Sequence, residues 1–421
     1  MNYLLKKATI IDPDSKHHKK VRDVLIENGK LIKIASNIPN DGIYKEVKFP
    51  NLHLSQGWFD PNVSLGEPGF EERETLKNGI KIAAQSGFTH ICVNSNTNPV
   101  PDTKSGIEYI KNKTKNNIVS VYPVGALTVN SNGKHLAELY DMHRHGAISF
   151  YDYKKPIAEP NLLKIALQYC QSFNGLVQSF PRDNSIAGTA QVHEGVATTL
   201  LGLKGIPALA EELHIARDLY ILEYTGGKLH IPTVSTAKSV ELIKKAKKKR
   251  LQVSCSVSIN NLILTDESLH DFNTNYKLQP PLRTKKDTKA LLKALNEGII
   301  DGVTSDHNPI DIEHKKVEFE HAHYGSIGLE SCYGALQTVV STEKAVQALT
   351  RLKTVFGIEK SGIKEGNKAD ITLFNPNLKW NFTQPKIHST SKNAALLDQS
   401  LTGKVYGIIA KNKIMINNEF K

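Results

Sequence analysis

Gln56-Gly57-Trp58-Phe59-Asp60-Pro61-Asn62-Val63-Ser64-Leu65-Gly66-Glu67-Pro68-Gly69 is the stretch on which the fold turns. Its opening, Gln56 to Asp60, reads as a short apolar strand. The Pro- and Gly-containing run behind it reads as a loop, and a helix is predicted over Glu71 to Ser86. The same alternation recurs along the chain. Further strands are predicted near Thr89 to Asn94, Ser120 to Val124, Ala147 to Phe150, Gly175 to Ser179, Leu229 to Thr233, Gln252 to Ser256 and Gly302 to Thr304. Helices fall between them, for example over Pro207 to Thr225 and over Ala237 to Lys249, the latter behind the cap candidates Ser235 and Thr236. Strand–helix alternation argues for parallel strands joined by crossover helices. Eight strands is the number that closes a (β/α)8 TIM-type barrel, so the fold class is α/β. In such barrels the chemistry is built where the loops converge, at the C-terminal ends of the strands.

The two ends of the chain have a different texture. Residues 1–53 alternate short strands with turn residues, and Asn28-Gly29 reads as a hairpin turn. Ala369 to Phe374 and Lys404 to Ile414 look alike, so residues 1–53 and 365–421 are expected to form one composite β-sandwich accessory domain, with the barrel over 54–364. Lys and Arg total 54 against 42 Asp and Glu, a net charge of +12 over 421 residues. That excess is dispersed lysine, and its densest run, Lys244 to Arg250, ends a predicted helix where cations suit the negative end of the macrodipole. Without interleaved aromatics or a nucleic-acid motif, no nucleic-acid partner is expected. Cys92, Cys170, Cys255 and Cys332 form no C-x-x-C pair and read as free thiols. No apolar run approaches the roughly 20 residues of a membrane span, and a cytoplasmic protein is the expectation.

Several strings carry a more specific signal. Glu67-Pro68-Gly69-Phe70-Glu71, Asn96-Thr97-Asn98-Pro99-Val100, Gly205-Ile206-Pro207-Ala208, Val234-Ser235-Thr236-Ala237, Pro280-Pro281-Leu282-Arg283, Ser305-Asp306-His307 and Glu365-Gly366-Asn367-Lys368-Ala369-Asp370 occur in order along the chain. Together they resemble the dihydroorotase and allantoinase branch of the amidohydrolase superfamily. That resemblance implies a barrel of the metallo-dependent hydrolase kind. It also implies a reaction that closes or opens a cyclic amide with a metal-bound hydroxide held by imidazoles and carboxylates.

Position by position, the ligand set implied by the resemblance is eroded. Strand one's two histidines correspond to Asn62 and Ser64, the histidine after strand five to Ser179, and the one after strand six to Thr233. Neutral amides and hydroxyls bind zinc poorly. Asp152 stands where a bridging ligand would come, and Asp306 matches the catalytic aspartate after strand eight, where it also reads as a structural hydrogen-bonding partner of His307. The arginine that would clamp a substrate carboxylate is Gly66, and a histidine after strand eight is Ile310; Asn96 and Gln279 remain as substrate-contacting amides. His143, His145, His321 and His323 read as surface residues and His230 as a packed one. The leading expectation is therefore a catalytically silent dihydroorotase homologue, without cofactor, in which Asn62, Ser64, Ser179, Thr233 and Asp306 converge at the barrel mouth. By resemblance, such a protein is a scaffold for aspartate carbamoyltransferase in pyrimidine biosynthesis and a homo-oligomer. The alternative is a working dihydroorotase or related cyclic amidohydrolase with an atypical centre, zinc being its cofactor. A sensor binding a small ligand in the emptied mouth is a third reading.

Overall fold

A computed structural model describes residues 2–269 and 271–420. The outermost residues of the expected accessory domain, Met1 and Lys421, lie outside them. The first strands are β1 (Asn2–Ile10), β2 (Val21–Glu27), β3 (Lys30–Ala35), β4 (Lys45–Val47) and β5 (His53–Gln56). Next come β6 (Trp58–Val63), β7 (Phe88–Val93), β8 (Ser120–Pro123) and β9 (Leu176–Gln178). A short parallel pair, β10 (Val192–His193) and β11 (Gly205–Ile206), precedes β12 (Lys228–Ile231), β13 (Val253–Ser258) and β14 (Gly302–Thr304), and β15 (Ile371–Asn381), β16 (Ser400–Ala410) and β17 (Lys413–Ile416) follow.

In the middle of the chain every strand pairing is parallel. β6, β7 and β8 form one run and β9, β12, β13 and β14 another. Phe150 bridges the runs by pairing with both Gly125 and Val177, and Val63 at the end of β6 pairs with His307 just past β14. The strand expected over Ala147 to Phe150 is thus reduced to the bridges at Phe150. Asp60 fastens first strand to last: it accepts from the Thr304 hydroxyl at 2.5 Å, the Ser305 N–H at 3.0 Å and the Asn62 N–H at 3.1 Å. Burial pushes its carboxyl up to about 6.

Crossover helices sit where the apolar periodicity puts them. The helix Leu76–Gln85 starts at Thr75, whose hydroxyl accepts the Asn78 N–H, and Ala237–Lys248 starts at Thr236, which accepts the Ser239 N–H. Residues 71–75, expected to be helical, are loop and turn instead, because the capping hydroxyl at Thr75 fixes the start of the helix.

Both ends of the chain join one sheet, in the order β17-β16-β15-β5-β1-β2-β3 with β4 alongside β1. Asn28 and Gly29 take φ of 50° and 75° between β2 and β3, the doubly left-handed two-residue turn that matches strand twist. Side chains alternate across this sheet. Ile371, Leu373, Tyr406 and Ile409 pack with β1 and β2 residues in a small core, while Phe374, Val405 and Ile408 face the main core. Trp58 and Tyr333 meet Phe374 there at ring-centroid distances of 5.5 and 5.4 Å. Among the described residues, no helix is long and apolar enough to cross a membrane.

Candidate active site

The loops behind β6, β7, β14 and Phe150 bring one buried polar network together. Asp306 is at its centre. The Lys154 ammonium donates to one carboxylate oxygen at 2.9 Å, and the Asn62 amide donates to the other at 3.0 Å. Asn62 in turn accepts from Asn94 at 2.7 Å, and the same Asn94 amide reaches the Ser64 hydroxyl at 3.1 Å. Burial raises the Asp306 carboxyl, opposed by the ammonium of Lys154 and by the Asn62 hydrogen bond. The side chains of Lys154 and Asp306 are only 8% and 6% exposed, so the pair is held in a poorly screened environment.

The expected site residues separate into those that join this network and those that do not. Asn62 and Ser64 belong to it, together with Asp306. Ser179 donates instead to Asp218 at 2.6 Å, a carboxylate on the helix Leu209–Thr225 that also binds Arg217, and no hydrogen bond joins Ser179 to Asp306 among the described residues. The Thr233 hydroxyl oxygen and the Asn96 amide oxygen are buried without a partner among the described residues. Unpaired groups of this kind are costly in a finished core and natural in a site awaiting a ligand. Gln279 donates to the Lys154 carbonyl at 3.4 Å.

Two residues are engaged otherwise than expected. Asp152 makes no hydrogen bond to the Asp306 network among the described residues: its oxygens accept the Leu127 and Thr128 N–H groups, at 2.9 and 3.0 Å, and the Thr128 hydroxyl. Asp306 does not pair with His307, whose Nδ1 accepts from the Gly328 and Leu329 N–H groups at 3.1 and 3.4 Å. Burial drives that imidazole down to about 3, so it is neutral with its proton on Nε2. Lys154 is the residue the sequence reading missed. Its signal was faint, a lysine two positions beyond a candidate ligand, and only the turn that follows Phe150 aims it at Asp306. Lys154, Thr233 and Asp306 all have left-handed backbone, with φ of 52°, 52° and 49°. Such conformations cost of order 1–3 kcal/mol each and cluster where geometry serves function.

The remaining histidines stay apart from the network. His230 is buried between the Ser254 and Ser256 hydroxyls, at 2.8 and 3.1 Å, and His323 lies against His314 with ring centroids 4.4 Å apart and the rings tilted by 32°. His143 lies in the short helix Leu139–Arg144, with His145 as its C-cap. Among the described residues no group of three or more His, Cys, Asp or Glu side chains is placed to hold a metal ion. At the positions where the resemblance puts zinc ligands, the donors are the neutral Asn62, Ser64, Ser179 and Thr233, a set that does not fit a binuclear zinc centre.

A family described as "Dihydro-orotase-like" matches residues 54–239. Over its whole length the chain is 36% identical to a dihydroorotase of Syntrophus aciditrophicus, 100% of each chain being covered, and 35% identical to one of Pelotomaculum thermopropionicum with 99% of each covered. Among solved structures it is similar to the L-hydantoinase (dihydropyrimidinase) of Arthrobacter aurescens, with a TM-score of 0.87 at 19% identity and 98% and 96% coverage. The dihydropyrimidinase of Brevibacillus agri gives 0.84 at 20% identity, with 100% and 96% covered. These structural likenesses, at 19–20% identity, show the fold alone, an α/β fold shared with those proteins. The end-to-end relationship to dihydroorotases overturns the expectation of a catalytically silent scaffold. It also overturns the expectation that no cofactor takes part, which belonged to that silent reading. The chain belongs to the dihydroorotase family.

Proposed function

We propose that this protein is a dihydroorotase of pyrimidine biosynthesis, interconverting N-carbamoyl aspartate and dihydroorotate on a (β/α)8 barrel with a β-sandwich accessory domain. The observation that carries this reading is the uninterrupted relationship to dihydroorotases over the full chain. The Asp306 network supports it, since a buried carboxylate fixed from both sides lies at the strand ends.

In the hydrolytic direction a water oxygen adds to the ring carbonyl carbon, the carbon–nitrogen bond breaks, and the nitrogen gains a proton. Asp306 takes the proton from the attacking water and delivers it to the departing nitrogen; cyclisation runs the same transfers backwards. Lys154 and Asn62 hold the two carboxylate oxygens and so fix the direction in which the proton moves. On this reading the polar edge of the ring is met by the Asn96 amide oxygen and the Thr233 hydroxyl, both buried without a partner among the described residues.

Purified protein should turn over both carbamoyl aspartate and dihydroorotate, assayed with and without added zinc. Asp306→Asn should lower kcat by about 10²- to 10⁴-fold, the usual range for removing a general acid–base group. Failure of the parent protein to convert either substrate under any of these conditions would sink the reading.

A further inference from the structure

The loop behind β6 has no room for a side chain at residue 66. A Cβ there would lie 1.8 Å from the Phe70 carbonyl oxygen and 3.1 Å from that of Glu74. The backbone is closed around it, with the Gly66 N–H on Glu74 at 2.9 Å and the Phe70 N–H on Gly66 at 2.8 Å. An arginine cannot act from this position without refolding the loop. Any carboxylate on the substrate must therefore be met by cations that come from elsewhere.

A cavity opening beside the Asp306 network supplies them. Its wall includes Lys154, Lys155, Arg182, Gln279 and Asp152; one Lys154 N–H is spent on Asp306, which leaves its two other donors with Lys155 and Arg182 against one carboxylate. Asp152 is already filled by the Leu127 and Thr128 backbone and the Thr128 hydroxyl. Arg182 follows β9 by four residues, and its guanidinium is only partly engaged. One terminal nitrogen donates to the Ala190 carbonyl at 3.3 Å and the guanidinium also hydrogen-bonds the Tyr324 side chain, while Nε is buried with no partner among the described residues. A guanidinium with a buried donor left open is an incomplete fork, and the group that completes such a fork is a planar anion such as a carboxylate.

We propose that Arg182 and Lys154 form the carboxylate-binding subsite of this protein, doing from the loops after β9 and Phe150 what a guanidinium cannot do from residue 66. The subsite rests on the dihydroorotase reading for the identity of the ligand, and it selects a ring bearing a carboxylate over a neutral one.

The test is binding measured by calorimetry, separate from turnover, with dihydroorotate and with dihydrouracil, the same ring lacking the carboxylate. Arg182→Gln should weaken dihydroorotate binding and raise its KM by about ten- to a hundredfold, the range for one charge-assisted contact. Its kcat should move little, dihydrouracil binding should be unchanged, and Arg182→Lys should fall between. Lys245→Gln, on the exposed face of the helix Ala237–Lys248, should leave every value at that of the parent. The unmodified protein provides a check that needs no variant: it should bind dihydroorotate at least about tenfold more tightly than its neutral methyl ester. Equal binding of dihydroorotate by parent and Arg182→Gln, equal loss of both rings, or indifference to the ester overturns the subsite. Arg182-dependent binding without turnover would keep the subsite and reject the dihydroorotase reading.

Discussion

Asp306 and Lys154 form a buried ion pair whose value lies in geometry more than in stability. Desolvating two charges consumes most of what their attraction returns, but removing one partner strands the other. Lys154→Met should therefore destabilise the protein by about 3–5 kcal/mol. Lys154→Met combined with Asp306→Asn should recover a large part of that loss, which a double-mutant cycle by urea unfolding would read. Additive losses would show that the two side chains act independently. The pair also shapes the pH profile. Burial holds the Asp306 carboxyl above its ordinary value of 3.8, so a rate that needs the ionised form falls as pH drops through that raised value.

Between elements, the joint that matters most is the one from β6 to β14. Asp60 supplies it with three acceptor contacts, and the bridge from Val63 to His307 continues it. The joint positions the site directly, because Asn62 and Ser64 leave the end of β6 and Asp306 leaves the end of β14. Asp60→Ala would leave the Ser305 and Asn62 N–H groups without their acceptor, while the Thr304 hydroxyl keeps the Asn62 carbonyl at 3.3 Å. With roughly 1–3 kcal/mol lost for each buried unsatisfied group, the variant should be at least about 2 kcal/mol less stable by urea unfolding. It should also lose activity ahead of global unfolding, as the Asn62–Asp306 contact loosens. A variant unfolding at the parent's urea midpoint would show that the parallel bridges alone hold the two strands.

For the molecule as a whole, the buried histidines make the fold sensitive to acid. His230 and His307 are fully buried, and burial lowers both to about 3 from an ordinary 6.5. The unfolded chain binds their protons below 6.5 while the folded one does not. Their contribution is thus full above 6.5 and is lost progressively as pH falls toward 3. At about 1.4 kcal/mol per unit for each group, the loss by pH 5 is roughly 4 kcal/mol for the two. Asp60 works in the opposite sense: with its folded value at about 6 against 3.8, it regains stability as pH falls through that interval and offsets part of the loss. Urea unfolding at pH 7 and pH 5 should show a net decline, smaller in a His230→Asn, His307→Asn protein. A midpoint that rises on acidification would contradict the burial of these two imidazoles.

The order of strands and helices was legible in the chain because it is a local matter. Apolar runs of strand length, capping hydroxyls at Thr75 and Thr236, and the Asn28-Gly29 turn act over a few residues, and the helix expected over Ala237 to Lys249 ends within one residue of that mark. Gly302 to Thr304 coincides with β14. The motif strings likewise pointed to the dihydroorotase family, and Asp306 stood out as the aspartate behind the last parallel strand. Which groups meet was decided by the tertiary structure. Asp152 and Lys154 are two residues apart, yet the turn between them sends one to the Leu127 and Thr128 amides and the other to Asp306, 152 positions away. Ser179 looked equivalent to Asn62 and was instead captured by Asp218 on a neighbouring helix. Spacing along a chain fixes the strand end to which a side chain belongs. Its partner is set by competition among buried hydrogen-bonding groups, and that competition exists only once the strands have closed around them.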